Sequence, residues 1–112
     1  MMAANNYAIS LGRLRRYEEA KTLLREVIPV VRRVLGESHD LTFTTRCIYA
    51  GALYEDASAT LDEIREAVKT LEDTERVARR VFGGAHPIAA AIVRSLRSAR
   101  ATLAAREETP SG

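Results

Sequence analysis

The chain has 112 residues, of which 46% are hydrophobic and only 5% aromatic; 17 basic and 15 acidic residues leave a formal net charge of +2. That length suits one compact domain. A composition rich in Ala, Leu, Val and Ile, without Trp, favours packed helices over a β-sandwich. No stretch approaches the ~20 apolar residues of a membrane span, and the near balance of charge argues against a nucleic-acid binder.

The only cysteine is Cys47, which excludes an intrachain disulfide and points to a reducing, cytoplasmic setting. Residues 1–6 carry no basic segment followed by an apolar run, so they do not read as a secretory signal. They start within a helical pattern, as expected of a piece of a longer repeat protein.

Tyr7, Ala8, Leu11 and Leu14 recur at helical spacing and predict a first helix over residues 2–14. Arg15 and Arg16 make the turn. A second helix starts near Tyr17, with Glu18 and Glu19 placed to complement its dipole. Its apolar stripe is Ala20, Leu23, Leu24, Val27, Val31, Val34 and Leu35. Pro29 falls inside this stripe and predicts a kink or register break, and Gly36 ends the helix. Ser38 or Asp40 is expected to cap a third helix over residues 40–56, carrying Leu41, Phe43, Ile48, Tyr49, Ala52 and Leu53. Residues 57–60 form the next turn. Thr60 and Glu63 have the spacing of a capping box for a fourth helix, which ends at Gly83 and Gly84. His86 and Pro87 open a fifth helix reaching about Arg106; residues 107–112 read as a flexible tail.

The chain repeats itself. Arg32, Arg33, Val34, Leu35, Gly36 and His39 recur as Arg79, Arg80, Val81, Phe82, Gly83 and His86, an offset of 86 − 39 = 47. The same offset carries Glu19 and Ala20 onto Glu66 and Ala67, and Leu24 onto Leu71. Upstream, Tyr7, Ala8 and Leu11 match Tyr49, Ala50 and Leu53 at an offset of 49 − 7 = 42. The difference of five residues falls in the turn around residues 56–61, where insertions are well tolerated.

The order of Asn6, Tyr7, Ala8, Leu11, Tyr17, Glu19, Ala20 and Leu24, closed by Val34, Leu35, Gly36 and His39, resembles the tetratricopeptide (TPR) repeat family. More narrowly, it resembles the long repeats of kinesin light chains. The resemblance implies an all-α, right-handed α–α superhelix: two helical hairpins over residues 2–36 and 40–83, then a capping helix over residues 87–106. It also implies that Ala8 faces Ala20, and Ala50 faces Ala67, where paired helices approach closely. The pattern departs from the family at Arg15, where a glycine is usual, and in the second repeat, which lacks an aromatic matching Tyr17. The fifth helix has no successor and is expected to shield the solenoid end.

No phosphate-binding glycine loop or nucleophile elbow is present. His39 and His86 occupy the same repeat junction, which explains them as capping or turn residues. Cys47 stands beside Arg46 with no neighbouring histidine and reads as a small helix residue. No catalytic residue, metal or cofactor is expected. The resemblance implies a protein-interaction module whose first helices line a concave groove for a peptide or partner helix. Its lining would be Asn6, Ile9 and Arg13, then Cys47, Ile48, Gly51 and Glu55, then Arg94 and Ser98. Asn6 matches the family position that pairs with a bound backbone. Ile48 replaces that residue in the second repeat and Ile9 stands where a second polar clamp is common, so the carboxylate clamp is incomplete. Two further expectations concern other partners. Apolar repeat ends around Met2 and Ile92 would pair between copies. Alternatively, the arginines at 13, 15, 16, 32, 33, 79 and 80 would bind nucleic acid.

Overall fold

A computed structural model describes residues 2–108. The described residues form five α-helices, α1 (Met2–Arg13), α2 (Tyr17–Leu35), α3 (Asp40–Tyr54), α4 (Leu61–Phe82) and α5 (Pro87–Glu108), and contain no strand. Each helix packs on the next, and α3 also touches α1 and α5. The outcome is two successive hairpins, α1–α2 and α3–α4, with α5 laid on α4, measuring 45 × 29 × 20 Å.

The helix boundaries follow from local chemistry that occurs twice. Gly36 and Gly83 adopt φ of +87° and +76°, and their N–H groups donate to the carbonyls of Arg32 and Arg79 at 2.9 Å. A left-handed backbone at a helix end favours glycine, which has no Cβ to clash. Three residues later in each junction a histidine takes over. Nδ1 of His39 accepts the Leu41 N–H and Nδ1 of His86 accepts the Ile88 N–H, both at 3.1 Å. The α3 cap is therefore His39, not Ser38 or Asp40, since its ring nitrogen reaches the orphan N–H two residues on. The His86 ring also stacks on Phe82 at 4.1 Å. At α4 the Thr60–Glu63 capping box is fully formed.

Several boundaries move from those expected. Helix α1 ends at Arg13 and α3 at Tyr54. Pro29 neither ends nor breaks α2, which runs through it; at this exposed position water can serve the carbonyl that proline leaves unpaired. Val34 stays 60% exposed rather than joining the buried stripe. Glu107 and Glu108 belong to α5, where Arg65 lies 3.5 Å from Glu107 and Arg106 donates to the Ala59 carbonyl. Residues 109–112 of the expected tail lie outside the described residues.

The core runs through both hairpins and onto α5, with Leu24, Val31, Phe43, Leu53, Ile64 and Leu71 fully buried. Phe43 meets the edge of Phe82 at 5.4 Å. Ala8, Ala20, Ala50 and Ala67 are all buried, as close helix approach requires. Ile92 is also buried, facing the core rather than an open end, so its side chain is not available for the expected pairing between copies; the Met2 side chain lies outside the described residues.

One buried group is a cation. Lys21 is only 2% exposed, and its ammonium donates to Glu18 at 2.5 Å and to Glu63 of α4. Burial opposes its charge, but the hydrogen bonds and attraction of both carboxylates outweigh that and raise its pKa above the ordinary lysine value. The Lys21 hydrogen bond in turn holds Glu63 below the usual carboxylate value, helped by the Thr60 N–H. Removing Glu63 leaves the buried ammonium with only the exposed Glu18, whereas replacing Lys21 leaves a partly exposed Glu63 carboxylate still hydrogen-bonded by the Thr60 N–H. Glu63→Ala should therefore lower unfolding free energy by about 3 kcal/mol, and Lys21→Met by less than about 1 kcal/mol, in urea titrations. Equal losses would contradict this assignment.

Arg15 gives a second prediction. It bridges α1 and α2 with φ of +59°, a conformation disfavoured for a residue with a Cβ. Arg15→Gly should raise stability by about 0.5–1 kcal/mol, read as an increase in denaturation midpoint at unchanged slope.

Candidate functional site

The first helices of the hairpins, α1 and α3, lie against each other, and α5 follows on the other side of α3. Between them opens a groove of about 400 Å³. The last two turns of α1 contribute Ala8, Ile9, Gly12 and Arg13, and the start of α2 contributes Tyr17. Helix α3 supplies Cys47, Ile48, Gly51, Ala52 and Tyr54, followed directly by Glu55, and α5 supplies Ser95. On α3 this is the side left over after Thr42, Phe43, Thr45, Tyr49, Ala50 and Leu53 turn into the packed interior.

Six of the nine expected residues meet here: Ile9, Arg13, Cys47, Ile48, Gly51 and Glu55. Asn6, Arg94 and Ser98 do not line the groove. Asn6 lies before the two turns of α1 that form the wall and is exposed. Its neighbour Asn5 is the buried one, 4% exposed, accepting a hydrogen bond from Thr45 at 3.0 Å; its Nδ2 is buried without a hydrogen-bond partner. Helix α5 buries Ala89, Ile92, Leu96 and Ala99, a phase that brings Ser95 rather than Arg94 to the groove. Ser98 is within hydrogen-bonding reach of the Tyr54 hydroxyl. Tyr17, Tyr54 and Ser95 were not anticipated. Tyr54 follows Cys47 and Gly51 at i+7 and i+3, so helical spacing alone points to it.

The groove is apolar in its floor and charged at its flanks. Among the described residues neither Arg13 nor Glu55 has an ion-pair partner. Desolvation raises the Glu55 carboxyl above the ordinary value, and no neighbouring cation offsets it. Gly51 makes room for this side chain: a Cβ there would stand 2.8 Å from Glu55 Oε2. Burial of Tyr54, reinforced by the adjacent Glu55, raises its phenol pKa. Burial likewise pushes the Cys47 thiol up to about 11 despite Arg46, so at neutral pH it is a protonated, weakly polar wall.

No group of three or more His, Cys, Asp or Glu side chains suited to a metal occurs among the described residues. None of the described helices is long and apolar enough to cross a membrane. One arginine of each cluster is ion-paired: Arg16 with Glu19 at 2.6 Å, Arg32 with Glu37 at 2.5 Å, and Arg79 with Glu75. Local pairing of this kind is the ordinary state of a solvated helix surface, and nothing in the geometry of the described residues favours nucleic acid.

Comparison with known proteins agrees with this architecture over its first third. No curated protein and no solved structure matches the chain. A tetratricopeptide repeat family model matches residues 1–40, which span the first hairpin and the junction leading into α3. The chain has an all-α, tetratricopeptide-like helical-repeat fold.

Proposed function

We propose that this protein is a non-catalytic interaction module that holds an extended segment of a partner protein in the groove between α1 and α3. The observation that carries this reading is the convergence of Ile9 and Arg13 with Ile48, Gly51 and Glu55, contributed by two hairpins of one repeated design. Ile9, Ile48 and Tyr54 offer apolar seats. Arg13 and Glu55, of opposite sign and without ion partners among the described residues, would orient a ligand carrying an acidic and a basic side chain. A few such anchors support micromolar affinity, about 8 kcal/mol. Residues 2–36 and 40–83 act as the two repeats, with α5 as their cap, in the cytoplasm. The long spacing between the repeats is the basis for the narrower likeness to kinesin light chains.

Selection of a random peptide display library on the immobilised chain tests the proposal. Recovered peptides should lose at least tenfold affinity for an Ile9→Glu, Gly51→Arg double variant whose thermal midpoint stays within a few degrees. Selection on Glu55→Lys should replace basic residues with acidic ones. Peptides that bind the double variant as well as the parent would refute the groove.

A further inference from the structure

The repeat supplies its own template for a second surface, independent of the groove. At the inner junction Tyr49 of α3 is 7% exposed, because α2 lies over it. Arg25 of α2 donates from Nε to the Tyr49 hydroxyl at 3.2 Å and sits 5.9 Å from the ring centroid. The same hydroxyl donates to Glu66 of α4 at 2.5 Å. Arginine, tyrosine and glutamate thus form one chain across three helices, and the apolar residues of α2 on either side of Arg25, Leu24 and Val31, are fully buried.

The offsets of 42 and 47 residues place Tyr7 where Tyr49 stands and Glu19 where Glu66 stands. Two members of the chain are therefore present in the first hairpin, and no described helix lies over them to supply the third. Tyr7 is 56% exposed against 7% for its counterpart. It borders a cleft of about 380 Å³ between α1 and α2, together with Leu11, Glu18, Glu19, Thr22 and Leu23. Glu19 is held by Arg16 in an exposed pair, which an incoming cation can exchange at little cost. On α5, Leu96 stands in the register of Tyr49 by the offset of 47 and is 6% exposed, so the cleft it borders with Glu75 and Arg79 of α4 presents no exposed aromatic ring.

We infer that the Tyr7–Glu19 face is a docking site for an amphipathic helix of another protein, seated as α2 sits on α3 and carrying an arginine beside its apolar stripe. The arginine lies over Tyr7 and shares Glu19, reproducing the cation–π and hydrogen-bond contacts of Arg25. A second copy of this chain is a poor occupant. The leucine- and isoleucine-bearing stripes of its α2 and α4 are already buried, Leu24, Ile64 and Leu71 being fully covered.

The test uses the natural template as its probe. A fluorescent peptide with the sequence of α2 (Tyr17–Leu35), held helical by a staple on its solvent side, is titrated into the full chain and followed by anisotropy. Saturable binding in the tens of micromolar is expected. It should weaken at least tenfold when the chain carries Tyr7→Ala or the peptide carries Arg25→Glu, and stay unchanged with Gly51→Arg in the chain. That last variant separates this face from the groove. No binding at 1 mM peptide (about 4 kcal/mol), or binding indifferent to Tyr7→Ala, overturns the inference. Concentration-dependent dimerisation of the chain that is abolished by Tyr7→Ala overturns it in favour of a second copy.

Discussion

The structure depends on the seating of α3. This helix packs against all four others, and burial on several sides dictates what its residues can be. Phe43, Ala50 and Leu53 are fully covered, while Thr42 and Thr45, nearly as buried, turn their hydroxyls back to the carbonyls of Gly36 and Leu41. Such internal bonds are the inexpensive way to bury a hydroxyl. Cys47, Ile48, Gly51, Tyr54 and the following Glu55 escape full coverage, and together they make one wall of the groove. The binding surface is thus what remains of a central helix once its packing needs are met.

The same logic explains the difference between the two ends of the array. Each inner helix is covered by the one before and the one after, and the chemistry of the junction is specific: Lys21 and Arg25, one turn apart on α2, reach Glu63 and Tyr49 on the second hairpin. At the far end α5 closes α4 through Ile92, Leu96 and Ala99, with Arg100 paired to Glu72 at 2.9 Å. Helix α1 carries the tyrosine of the junction without its arginine. Tyr7 is left over half exposed beside a cleft, the feature on which the inferred docking of a partner helix rests.

Features set by nearest neighbours were legible in the sequence. The capping box at Thr60, the terminal glycines at 36 and 83, and the paired histidines depend on contacts within a few residues, and the internal repeat doubled the glycine and histidine signals. Six groove residues were legible too, because register within one helix fixes which side a residue takes. Features set by distant partners were not. The burial of Lys21 depends on Glu63, 42 residues away. The phase of α5, which brings in Ser95 in place of Arg94 and hides Ile92, depends on how that helix settles on α4. Pro29 lies inside one continuous α2 at an exposed position, where water can serve the carbonyl left without its N–H partner.

The central claim is that partner recognition occurs on the first helices of the hairpins. Backbone amide chemical shifts of the labelled chain, recorded while a selected groove peptide is added, test it most directly. The account predicts that the perturbed amides cluster over residues 8–13 of α1 and 47–55 of α3. Perturbations confined to the outer faces of α2 and α4, with those two segments unmoved, would contradict it.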